Sequence, residues 1–259
     1  MACKNARMRK EKNIAATSSV TPTTSLCFGV DTNIPADDLL QNNIDLFEWV
    51  RRNKIYPTYW GRNIGGENSL TSEEIIFLHR KGCKIAAYFT ADGMMETKAQ
   101  GQIMGVKALL KATELNIPKN TAVFLEINDN ANVTTDALLG YAEILMSEGY
   151  VPGYKANTDA KHVFDREYSR GMQINREVFT KCLIWATAPL LAEYDRMTTT
   201  HFIHPDNWKP YAPSGVTRKE IAIWQYGSNC HPVNDDGETP TTFNINLVEN
   251  KQIIIEYMF

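Results

Sequence analysis

The chain lacks the basic excess of a nucleic-acid-binding surface. Its 27 Lys and Arg stand against 30 Asp and Glu, a net charge of −3, whereas such surfaces carry a concentrated positive stripe. No run of about 18 apolar residues is present, so no segment reads as a membrane span. Cysteines number only five in 259 residues: Cys3, Cys27, Cys83, Cys182 and Cys230. They show no C-x-x-C and no Cys/His ligand spacing. They read as small buried hydrophobes with free thiols, and a disulfide between two of them is also compatible with the sequence. His201, His204 and His231 form no ligand pattern, so neither a metal nor another cofactor is expected. No dinucleotide fingerprint follows the first strand. The Gly-rich loop at Gly65-Gly66 is a poor match to a phosphate-binding motif.

The N-terminus lacks the continuous apolar core of a secretory signal. It is basic at first and then rich in Ser and Thr. Residues 1–25 are expected to be a flexible tail, with a surface-binding role for Lys4, Arg7, Arg9, Lys10 and Lys12 as the weaker alternative. The compartment stays open: a protein released by another route, a secreted protein and an intracellular one all fit.

What is present is a hydrophobic content of 43%, ample for a core, in a length that suits a single α/β barrel. Residues 26–259 are expected to form that domain. The stretch Thr121 to Asn130, TAVFLEINDN, reads as a strand with Val123, Leu125 and Ile127 on one face and Ala122, Phe124, Glu126 and Asn128 on the other. A carboxylate on the inner face of a buried strand is costly unless paired or used, and the C-terminal strand ends are where barrels place their chemistry. Glu126 is therefore the first candidate for an active centre, with Asn128 and Asp129 at the rim. For Asn128, Asp129 and Asn130 the alternative is an Asx-type strand end that caps the next helix.

Leu26 to Thr32 reads as the first strand, with Asp31 at its tip on the face opposite Leu26, Phe28 and Val30. A helix carrying Leu39, Leu40, Ile44, Phe47 and Val50 follows. Tyr59, Trp60 and Arg62 crowd the end of a second strand. A helix then starts at Thr71 or Ser72 and stops at Gly82. The third strand, KIAAYFTADG, puts Ala86, Tyr88 and Thr90 on one face and Asp92 just past its tip. A long helix from about Thr97 to Leu115 leads to the Glu126 strand, and another runs from Thr135 to Ser147. YVPGYKANTD is a short fifth strand carrying Tyr154, Asn157 and Asp159. KCLIWATAP, with Trp185, is the sixth. The stretch from Leu190 to Thr217 is irregular, with HFIH a candidate seventh strand. IAIWQYG, carrying Trp224 and Tyr226, and TTFNINLVENKQIIIEYM close the chain. This alternation predicts parallel pairing and an α/β fold of the (β/α)8 TIM-barrel type, irregular in its later units.

Taken in order, GVDTN, TYWGRN, LTSEE, FLEIND, VPGYKAN, LIWAT and IWQYG resemble the glycoside hydrolase family 25 lysozymes. They resemble still more closely the related glycoside-hydrolase-like domain of unknown function 1906. The likeness runs from roughly Cys27 to Leu247. It implies a barrel with a glycan-binding groove at its C-terminal face and a lysozyme-like hydrolase activity on peptidoglycan or a related amino-sugar polymer. Asp31 matches the family's first-strand Asp. The lysozymes carry Asp-x-Glu on the fourth strand. One register places Glu126 on that Asp and Asn128 on the catalytic Glu; the register shifted by two places Glu126 on the catalytic Glu and Phe124 on the Asp.

Glycoside cleavage needs an acid for the leaving oxygen, and a carboxylate or the substrate's own acetamido group for the oxocarbenium-like centre. Glu126 is the expected acid, kept protonated by partial burial among Phe124 and Tyr88. Asp31 is the supporting carboxylate, with Asp92 or Asp129 as a further one. Tyr59, Trp60, Tyr88, Tyr154, Trp185, Trp224 and Tyr226 offer stacking faces for sugars or core packing. Arg62 is expected to hold a carboxylate of the protein or of an acidic sugar. The alternative is a glycan-binding module that keeps the groove without catalysis. A barrel enzyme for phosphorylated metabolites is poorly supported, since no Gly-rich turn in the late strands would grip a phosphate.

Overall fold

The computed structural model describes residues 26–40, 43–193, 196–197, 207–232 and 242–259. The expected tail lies outside them. Six strands follow one another in parallel: β1 (Cys27–Asp31), β2 (Tyr59–Asn63), β3 (Lys84–Thr90), β4 (Ala122–Glu126), β5 (Val151–Ala156) and β6 (Leu183–Ala186). Two two-residue strands, β7 (Ala192–Glu193) and β8 (Arg196–Met197), then lie beside the long β9 (Ile221–Pro232). Strand β9 continues the parallel order next to β6, and β10 (Phe243–Val248) runs antiparallel to both β9 and β1. Strands β1 to β6, β9 and β10 thereby close an eight-strand α/β barrel. The irregular end of the barrel is this reversed last stave, which departs from the all-parallel pairing expected from sequence. HFIH lies outside the described residues.

The helices are α1 (Leu46–Arg52), α2 (Ser72–Arg80), α3 (Lys98–Glu114), α4 (Thr135–Ser147), α5 (Val163–Ile174), α6 (Arg176–Phe179) and α7 (Lys251–Tyr257). Their starts follow from side-chain caps. Thr71, Thr97 and Thr134 each accept a hydrogen bond from the backbone N–H three residues on, which satisfies one of the donors a helix leaves open. Helix α1 is shorter than the spacing of Leu39, Leu40 and Ile44 suggests. Asp45 caps it by accepting from Glu48 N, and Asn43 just before it sits at φ 57, a left-handed turn no helix passes through. Leu39 instead forms an isolated bridge to Asp45.

Strand alternation divides the core into two shells. Val123, Leu125, Trp60, Tyr154, Trp224 and Tyr226 face the helices; Tyr59, Tyr88, Phe124, Trp185 and Ile223 fill the barrel. Glycine makes the inner packing possible. A Cβ on Gly61 would lie 2.6 Å from both Asp31 Cβ and the Trp185 ring, and one on Gly153 would lie 2.4 Å from Phe124. Trp185 stands edge-on to Tyr88 and Phe124, with ring centroids 6.0 and 5.5 Å apart, a favoured aromatic geometry. These three rings form the floor beneath the C-terminal mouth. Cys83 and Cys182 are buried free thiols, both pushed up to about 12 by burial.

Candidate active site

At the mouth, β1, β4 and β5 bring three charged side chains together. The register pairs Glu126 with Lys155 on neighbouring strands, and Gly153 two residues earlier meets Phe124 inside the barrel, so Lys155 points inward by the two-residue repeat. Its Nζ donates to Asp31 Oδ2 at 2.6 Å and lies 2.9 Å from Glu126 Oε1. The ammonium also sits 4.2 Å above the Tyr88 ring and 4.8 Å above that of Trp185. The Lys155 side chain is 3% exposed, that of Asp31 1% and that of Glu126 24%. Burial, the largest single influence, acts to lower the Lys155 pKa. Asp31 and then Glu126 outweigh it, and the ammonium is held above its ordinary value.

Strand β10 completes the cage around Asp31. Asn246 donates to Oδ1 at 2.7 Å and Asn244 to Oδ2 at 2.9 Å, while Asn246 Oδ1 accepts from the Trp185 indole at 2.9 Å. A buried carboxylate with three donors is compensated as such a group must be. Glu126 is held from its other side by a chain: Asn63 donates to Thr90 Oγ1 at 2.9 Å, and Thr90 donates to Glu126 Oε2 at 2.7 Å. Both Glu126 oxygens therefore accept hydrogen bonds or face the ammonium. The surroundings of Glu126 thus include a cation and a hydroxyl donor besides the rings of Phe124 and Tyr88 expected from sequence.

Two adjoining pockets share Glu126, Lys155, Asn229 and Asn244 in their walls. One, of about 200 Å³, lies over Asp31, Asn33, Tyr88 and Phe243. The other, of about 360 Å³, lies over Asn128, Asp129, Asn157, Gln225 and Ser228. Together they form a polar groove across the barrel mouth with Glu126 and Lys155 at its centre.

The sequence candidates separate into three places. Asp31, Glu126, Tyr88, Asn128, Asp129 and Asn157 line the groove. Tyr59 and Trp185 are buried in the barrel below it, Trp185 as floor. The rest lie elsewhere. Trp60 packs outward on Phe47, Tyr154 donates to Leu138 O, Trp224 donates to Pro189 O, and Tyr226 is fully buried in the outer shell. Of the seven aromatics offered as sugar platforms, Tyr88 alone is a groove wall; the others are taken up by packing, because their strand positions alternate away from the mouth or lie too deep.

Arg62 does hold a carboxylate, but a closed one. Its Nε sits 2.8 Å from Glu74 Oε1, at an angle too bent for a hydrogen bond, and its other nitrogens donate to Thr32 O and Asn68 O. Both side chains are fully buried, out of a glycan's reach, and burial raises the Glu74 pKa. Asp92 is exposed and paired with Lys107 on α3 at 2.9 Å, outside the groove. Asp159 accepts from the Lys161 amide, closing a turn.

Four site residues escape a sequence reading: Lys155, Asn244, Asn246 and Gln225. A signal existed for the first three. Lys155 shares a face with Gly153, and FNINLV alternates two asparagines with apolar residues as a half-polar strand does.

No protein-family model and no curated protein sequence matches the chain. Among solved structures, it is similar to an uncharacterized protein of B. stearothermophilus, with 26% identity and a TM-score of 0.73, over 90% of this chain and 100% of that one; this likeness supports the barrel fold. It is similar more distantly to the bacterial lysozyme from Streptomyces coelicolor, at 13% identity and a TM-score of 0.48, over 88% of this chain and 94% of that one. The modular autolysin LytC from Streptococcus pneumoniae, in complex with a synthetic peptidoglycan ligand, gives 10% identity and a TM-score of 0.48, over 86% of this chain and 46% of that one.

Proposed function

We propose that the chain is a lysozyme-like glycoside hydrolase of peptidoglycan or a related amino-sugar glycan, with the groove over Glu126 as its active site. The observation that carries this is the position of Glu126: a partly exposed carboxylate at the C-terminal end of β4, in the wall common to both pockets. Glu126 is the proposed acid and Asp31, with its three donors, the supporting negative charge. The two carboxylates share one ammonium at 2.6 and 2.9 Å, so their nearest oxygens stand no further apart than about 5.5 Å, a close pair by the standards of glycosidases. To act as acid, Glu126 must take up a proton. Its contact with Lys155 then weakens from an ion pair to a hydrogen bond on the carbonyl oxygen, while Lys155 keeps Asp31.

A second reading has an observation of its own. Lys155 Nζ fills the gap between the carboxylates, and the rim residue two positions beyond Glu126 is the amide Asn128. A catalytically silent groove that binds the same glycan would look like this. The separating experiment incubates the protein with peptidoglycan and with chitin-type polymers, reads new reducing ends, and measures binding by calorimetry. Release of reducing ends that Glu126→Gln abolishes supports the hydrolase. Binding without turnover supports the module, and neither binding nor turnover removes both.

A further inference from the structure

Among the described residues, Gln225 is a polar group of the mouth left without an answering donor. It lies on β9 between Trp224 and Tyr226, which face the helices, and two residues beyond Ile223, which faces the barrel interior; the alternation turns Gln225 inward. Its register partner is Asn246, the ligand of Asp31 and Trp185. Gln225 is 6% exposed and lines the larger pocket, yet among the described residues its Oε1 has no hydrogen-bond donor. A buried acceptor left unpaired destabilises the free protein, and a ligand donor entering the pocket would relieve that cost.

The surroundings select which donor. Among the described residues lining the two pockets, Asp31, Glu126 and Asp129 stand against the single cation Lys155, two negative charges in excess, and Lys155 is already engaged by two of them. An anionic substituent is disfavoured there and a cation favoured. A compact ammonium also reaches a recessed oxygen more readily than an amide N–H with an acyl group beside it, and its hydrogen bond is charge-assisted. We propose that Gln225 Oε1, with the carboxylates of the groove, forms a specificity site for an amino-sugar residue bearing a free, protonated amine, so that the groove prefers de-N-acylated glycan. This deepens the proposed glycan reading and rests on it.

The experiment uses the full chain at pH 6 and low salt with three β-linked pentamers: of glucosamine, of N-acetylglucosamine, and of glucose as the hydroxyl-only control. Calorimetry reads affinity and thermal melting reads stability, for the wild type and for Gln225→Met, which keeps the length of the side chain and removes the acceptor. The expected result is at least about tenfold tighter binding of the glucosamine pentamer than of either other. Gln225→Met loses that preference while its melting temperature holds or rises, because no hydrogen bond of the free protein is broken. Equal or tighter binding of the acetylated or glucose pentamer overturns this proposal and leaves the glycan groove standing. So does a variant that keeps the preference, or one that melts lower and weakens all three alike. Failure of all three pentamers to bind overturns this inference, and the glycan reading falls with it when peptidoglycan is neither bound nor cleaved.

Discussion

Replacing Lys155 by Met tests the charged centre most severely. Methionine fills much the same volume, so packing against Tyr88 and Trp185 is largely kept and the change isolates the ammonium. Asp31 is then left 1% exposed with Asn244 and Asn246 as its remaining donors, and Glu126 keeps Thr90. Removing one partner of a buried ion pair costs about 3–5 kcal/mol, which for a domain of this size lowers the melting temperature by roughly 6–20 °C. Asp31→Asn combined with Lys155→Met removes the stranded charge and costs less than Lys155→Met alone, a coupling that a double-mutant cycle reads directly. Thermal and denaturant melts at pH 7 measure it. A deficit under about 1 kcal/mol at pH 7, or a double variant no more stable than Lys155→Met, would refute the claim that this ammonium compensates two carboxylates.

Stability falls on the alkaline side. Cys83 and Cys182 rise from 9.0 to about 12 on folding, so their neutral forms favour the folded state below pH 9 and the contribution is lost between pH 9 and 12. At pH 10 the two thiols cost about 3 kcal/mol together. Lys155, also raised, adds in the same direction above its ordinary 10.5. Melting curves from pH 8 to 10.5 show the fall, and replacing both cysteines by alanine flattens its first part. Asn128→Glu, at an exposed rim position, changes stability by no more than about 0.5 kcal/mol and does not raise reducing-end release, because the acid is Glu126; a clear increase would move that role to position 128.

Much of the frame was legible because period-two strands and capped helices are local patterns. Thr71, Thr97 and Gly82 announce helix limits through their own backbone chemistry, and Glu126 stands out as a carboxylate in phase with Ala122 and Phe124. The aromatics stayed open between two readings because a Trp or Tyr near a strand end suits a sugar platform and a core equally; the phase of Tyr154, Trp224 and Tyr226 against their neighbours separates the two. Lys155 was hidden for a related reason. A lysine at a strand end reads as solvent-facing, and what buries it is Asp31, 124 positions away in the chain. The reversed β10, which supplies Asn244 and Asn246, answers to the closure of the barrel and to no local signal of direction.

The most direct test of the central claim is reducing-end release from peptidoglycan by the wild type and by Glu126→Gln, with binding of the same glycan followed in parallel. The account predicts that the wild type cleaves, that Glu126→Gln loses about 10²–10⁴-fold in rate, and that the variant still binds and melts within a few degrees of the wild type. Cleavage that persists unchanged in Glu126→Gln would contradict it.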